Sequence, residues 1–137
     1  DIRIVSGGTT SQIVARELGV EVKSSTEIYD KEVPPIAYIQ GVDLVTEGVL
    51  TLSKTIDRLK SLSKSLDSDI FKAKDGASQM AKLLYSASHI KLLVGRSLNI
   101  ANAESSFQRD LELRLHVIGE LEKILVKLGK IVTVEYY

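Results

Sequence analysis

The chain has 137 residues, 44% of them hydrophobic and 26% charged, a balance that separates it from disordered polymers and supplies enough mass for one core. Its 18 Lys and Arg offset 18 Asp and Glu, so no global field draws it to nucleic acid or an anionic bilayer, while a local anion site stays open. The absence of cysteine removes disulfides, thiolate metal sites and a cysteine nucleophile together, and fits a reducing, cytoplasmic setting.

In chain order, Ile2, Ile4 and Val5 form a β-branched run that ends at Gly7-Gly8, where Thr9 or Thr10 is expected to cap a helix burying Ile13, Val14 and Leu18. Gly19 stops that helix, Val20 to Lys23 reads as a short strand, and the polar stretch from Ser24 to Glu32 with Pro34-Pro35 reads as the longest loop. Ala37 to Gln40 and Val42 to Val45 are one strand broken at Gly41 or two short ones. After Thr46-Glu47-Gly48, Leu52, Ile56, Leu59 and Leu62 recur at helical spacing, and Ser61 to Asp69 reads as a polar linker.

Asp75 and Gly76 open the next helix, with Met80, Leu83, Leu84 and Ala87 inward, and Ile90 to Val94 follows as a strand ending at Gly95. The last helix spans about Ser105 to Leu128 with a stripe of Leu111, Leu115, Ile118, Leu121, Leu125 and Leu128. Gly119 within it costs about 1 kcal/mol relative to alanine, and a close packing contact is the expected reason. Gly129 ends this helix and Ile131 to Val134 returns as a strand. Strands alternating with helices predict a single three-layer α/β domain over residues 1–137, a mostly parallel sheet with helices on both faces.

Chemistry concentrates at the strand ends. Gly7-Gly8-Thr9-Thr10-Ser11 lies between a strand and a helix, where glycines let backbone approach a ligand, the helix start leaves unpaired N–H groups and hydroxyls add donors. Thr46-Glu47-Gly48 and Gly95-Arg96-Ser97 repeat the design, and in a parallel sheet such ends gather at one edge, with Arg96 as counter-charge to an anion. A plain helix cap on a tight turn, and a solvated Arg96, are the alternatives. The turn has the spacing of neither the P-loop nor the dinucleotide fingerprint. His89 and His116 have no partners at motif spacing and read as structural or surface residues. Asp43 and Glu47 lack the acidic cluster of a magnesium or manganese site, so neither a catalytic residue nor a metal ligand is assigned.

Three segments, Gly7 to Gly19 (GGTTSQIVARELG), Pro34 to Leu52 (PPIAYIQGVDLVTEGVLTL) and Ala81 to Gly95 (AKLLYSASHIKLLVG), resemble the C-terminal region of bacterial phosphatases of the stage II sporulation protein E type. Leu111 to Tyr137 is similar to that family's ending. The resemblance implies a parent that dephosphorylates serine or threonine with paired manganese or magnesium ions held by aspartates of a catalytic domain preceding Asp1. No segment here matches that domain, so no catalytic or metal residue is carried over.

The chain, which opens directly on the strand-like Asp1 to Ser6, is therefore expected to be an accessory domain cut from a larger protein, its partner the phosphatase domain of the same parent. A regulatory small-anion site at Gly7, Gly8, Thr9, Thr10, Ser11, Thr46, Glu47, Gly48, Gly95 and Arg96 is the first functional expectation. A ligand-free interaction or homodimerisation module is the second. An independent phosphate-handling enzyme is the third, and it lacks a visible base, nucleophile or metal cluster.

Overall fold

A computed structural model describes residues 1–65, 68–95 and 104–137. Its elements run β1 (Ile4–Ser6), α1 (Gly8–Leu18), β2 (Lys23–Ser24), β3 (Ala37–Tyr38), β4 (Leu44–Thr46), α2 (Val49–Lys64), α3 (Ser68–Lys72), α4 (Gly76–Ser86), β5 (His89–Val94), α5 (Glu104–Lys127) and β6 (Ile131–Tyr136). The architecture is mixed α/β, with five helices and two small sheets among the described residues.

The first sheet has the order β1-β4-β3-β2. β1 and β4 run parallel with Ser6 opposite Thr46, whereas β3 runs antiparallel to both β4 and β2. The second sheet is β5 beside β6, parallel, with His89 opposite Ile131 and Val94 opposite Tyr136. The one mostly parallel sheet expected from strand and helix alternation is thus replaced by one mixed and one parallel sheet. The reason lies in the connections. Parallel neighbours need a crossover of a dozen or more residues, usually a helix. β3 reaches β4 through a tight reversal at Gly41, whose φ of 94° is closed to most side chains, with Val42 N–H donating to Ile39 O at 3.0 Å.

Leu44 and Val45 follow one another on β4 and so face opposite sides of the sheet. Leu44 joins a large cluster with Leu52, Ile56 and Leu59 of α2, Met80 and Leu84 of α4, Leu121 and Leu125 of α5, and Ile90 and Val94 of β5. Val45 joins a smaller one with Ala15 and Ile39. α1 therefore packs through Ser11 and Ala15, while Ile13 and Leu18 are 45% and 52% exposed, reversing the expected face. Small residues one turn apart let α1 lie close to the sheet, which the bulky face would prevent.

α5 buries Val117, Ile118, Leu121, Ile124 and Leu125. A methyl group at Gly119 would meet nothing within 4 Å, so the expected packing contact does not exist and nothing in the structure explains that glycine. Gly129, at φ 84°, ends the helix with its N–H on Val126 O and the Lys130 N–H on Leu125 O.

Candidate functional site

The parallel pairing of β1 and β4 brings two strand ends and two helix starts together. Ser6 and Thr46 lie opposite each other, and the Thr46 hydroxyl donates to Ser6 Oγ at 3.3 Å. One residue on, Gly7 N–H donates to Thr46 O at 3.0 Å. Gly7 has φ 115°, a conformation that favours glycine, and a methyl group on Gly48 would stand 3.6 Å from its Cα. The two turns touch backbone to backbone.

α1 begins at Gly7 and α2 at Gly48, and neither start has a side-chain cap or an acidic residue in its first turn. The first helical bonds run from Ser11 N–H to Gly7 O and from Leu52 N–H to Gly48 O, each 2.9 Å. The amides of Gly8, Thr9 and Thr10, and of Val49, Leu50 and Thr51, precede those bonds and have no helical acceptor. Both positive dipole ends meet at this edge. Thr9 and Thr10, expected as caps, lie inside α1 and are exposed, so their hydroxyls and the Gly8 backbone face solvent. Ser11 instead turns inward, its hydroxyl donating to Gly7 O at 2.6 Å. Glu47 is exposed between Thr46 and Gly48, and its carboxylate opposes an incoming anion.

The other expected site residues are elsewhere. Gly95 follows β5 in the second sheet, where its carbonyl accepts from Arg114 Nη1 at 3.1 Å. Arg96 and Ser97 lie outside the described residues. Asp43 sits at the opposite end of β4 from Glu47 and accepts the Arg3 N–H at 2.7 Å. His89 and His116 are exposed. Among the described residues no group of three or more His, Asp or Glu side chains converges.

A third helix start packs behind the first two and is built differently. Asp75 caps α4, accepting from Ser78 N–H at 2.9 Å and from the Ser78 hydroxyl at 2.7 Å. Arg58 Nη2 lies 3.5 Å from Asp75 Oδ2 and 3.0 Å from Asp30 Oδ2, and its Nε donates to Ser78 Oγ at 2.8 Å. This ties the long loop to α2 and α4. Gly76 has no room for a side chain: a methyl group there would stand 2.9 Å from Ile36 Cγ2, 3.5 Å from Thr46 Cγ2 and 3.7 Å from Thr51 Cγ2. Thr51 is fully buried, and its hydroxyl has no hydrogen-bond partner among the described residues.

Ser6 was missing from the sequence-based site, as were Thr51 and Gly76. A signal for Ser6 existed: both strands end on a hydroxyl residue followed by a glycine turn, Ser6-Gly7-Gly8 and Thr46-Glu47-Gly48. Comparison with protein-family models, curated proteins and solved structures finds no match for this chain. No described helix is long and apolar enough to cross a membrane.

Proposed function

We propose that the chain is a non-catalytic accessory domain of a stage II sporulation protein E type phosphatase, a single three-layer unit that binds a small anion where β1 and β4 meet α1 and α2. The observation that carries this reading is the pair of uncapped helix starts held in backbone contact by Gly7 and Gly48. Helix N-termini attract phosphate and carboxylate groups through free N–H donors and the dipole. Two converging starts double the donors. Gly8, Thr9 and Thr10 supply the exposed side of the cradle, and Gly48 leaves its floor open. The phosphatase assignment rests on the sequence resemblance. The accessory role rests on the same resemblance, which covers the region that follows the family's catalytic domain.

The test is a melting experiment on the purified chain in inorganic phosphate, with chloride at matched ionic strength as control. Phosphate that binds the folded state stabilises it, by about 2.7 kcal/mol at a hundred times the dissociation constant. Thr9→Asp places a negative charge in the first turn of α1 and should remove the response while leaving the fold intact. A wild-type melting temperature that phosphate does not move defeats the binding assignment. Separately, manganese-dependent hydrolysis of an aryl phosphate above a boiled control would defeat the accessory one.

A further inference from the structure

The long loop between β2 and β3 has a closed neck. β2 and β3 pair with Ser24 opposite Ala37, and the Ser25 N–H donates to Ile36 O at 2.9 Å, so the two ends of residues 26–35 are held side by side. Among the described residues, the backbone–backbone bonds of that stretch stay inside it, as in Val33 N–H to Asp30 O at 3.1 Å. A surface loop with adjoining ends and bonds of its own has the form of an Ω-loop, which often carries function.

Little holds this loop to the body of the protein. Val33 is its one buried side chain, and it belongs to neither hydrophobic cluster. Ile28 and Tyr29 are exposed, and a groove of about 420 Å³, lined by Ile28, Pro34, Pro35 and Leu50 among others, runs between the loop and α2. Two ion pairs cross to α2, Asp30 to Arg58 at 3.0 Å and Glu32 to Lys54 at 2.9 Å. The second contributes little, because the Glu32 side chain is 72% exposed. The first is partly buried, and Asp75 and Ser78 hold the Arg58 guanidinium from the α4 side.

We infer that residues 26–35 are a latched strap, which opens and closes about the Ser25 and Ile36 neck while both sheets stay folded, with Asp30 on Arg58 as the latch. Opening exposes one buried side chain and breaks two ion pairs, whereas unfolding exposes every residue of both clusters. Segments with few buried apolar contacts open at the low end of a protein's range of local stabilities. Ile36, packed against the larger cluster and close to Gly76, anchors the neck. The open strap bares Leu50, Lys54 and Arg58, which follow at four-residue steps on one flank of α2. The motion requires no anion at the glycine turns.

Because the chain has no cysteine, a single introduced thiol reports the opening. Val33→Cys places it under the strap, and Val45→Cys places it on β4 in the smaller cluster; the two valines are 3% and 1% exposed. With a thiol reagent at low urea, Val33→Cys should react about ten times faster than Val45→Cys or more. Its rate should barely change with urea, because opening exposes little surface, whereas the Val45→Cys rate should climb steeply. Adding Asp30→Asn should speed Val33→Cys labelling about tenfold. Adding Ile124→Val, in the larger cluster, should speed Val45→Cys labelling several-fold and leave Val33→Cys unchanged. Equal rates and urea slopes for the two thiols, or an Ile124→Val effect of equal size on both, overturn the inference, because the strap then opens only with the whole fold. A Val33→Cys thiol that reacts as fast as free cysteine, or one whose rate Asp30→Asn does not change, also overturns it, because the latch is then absent.

Discussion

Two kinds of helix start stand side by side in this protein. The start of α4 is closed by its own residues: Asp75, 6% exposed, caps it, and Ser78 and Arg58 complete the hydrogen bonding. The starts of α1 and α2 begin on Gly7 and Gly48 with no side-chain cap. A folding requirement explains the first, because a buried helix end without partners is costly. The second forgoes side-chain caps, at a cost of only about a few tenths of a kcal/mol each where glycine stands at the cap. The open capping of α1 and α2, with the exposure of Gly8, Thr9 and Thr10, is the ground for proposing the glycine turns and not the Asp75 network as a binding edge.

Substitutions should separate the two kinds in sign as well as size. Asp75→Ala removes the cap and the buried acceptor of the Ser78 amide and hydroxyl, and should cost about 3 kcal/mol in urea unfolding. Its effect on phosphate affinity should be small if the domain stays folded. Thr51→Val replaces an unpartnered buried hydroxyl by a methyl group and should stabilise by about 1 kcal/mol. Thr9→Asp should also stabilise, by about 0.3 to 1 kcal/mol through the α1 dipole. Because the same change blocks anion binding, its stability and binding effects run in opposite directions. Glu47→Gln removes an opposing carboxylate in solvent and should tighten phosphate binding about two- to threefold, read by calorimetry.

The smallest effect belongs to the second sheet. The Glu135 carboxyl is held below the usual carboxylate range, first by the Tyr137 hydroxyl donating at 2.6 Å and then by the Lys91 ammonium. A lowered folded pKa means that its contribution to stability is complete above the ordinary carboxylate range and is lost as pH falls through the folded value. In a carbon-13 titration the Glu135 midpoint should rise toward the ordinary range in Tyr137→Phe. An unmoved midpoint would contradict the assigned cause.

Much of the element order was legible because it is written in local signals. Glycines at 7, 41, 48 and 129 mark turns that the structure uses with positive φ, and the α2 stripe of Leu52, Ile56, Leu59 and Leu62 is buried as its period predicts. What escaped was non-local. The return of the long loop, which sets β2 antiparallel beside β3 at the sheet edge, is encoded by no local pattern. The buried face of α1 was misassigned because Ser11 and Ala15 are less apolar than Ile13 and Leu18, and closeness to the sheet outweighed hydrophobicity there. In the candidate site, the glycine turns were readable one by one. Their contact depends on the Ser6 and Thr46 register of β1 and β4, and Gly95 falls in the other sheet because β5 pairs with β6. The Arg58, Asp30 and Asp75 network joins residues 28 and 17 positions from Arg58, a spacing that carries no motif.

The most direct measurement of the central claim is an amide NMR titration of the chain with inorganic phosphate at constant ionic strength. If the two glycine-capped starts form one anion site, the Gly8, Thr9 and Thr10 amides and those of Val49, Leu50 and Thr51 should shift together along a single saturable curve. The Ala77 and Ser78 amides at the closed start of α4 should stay in place. Shifts confined to α4 or to β5 and β6, or no shifts at millimolar phosphate, would contradict the account.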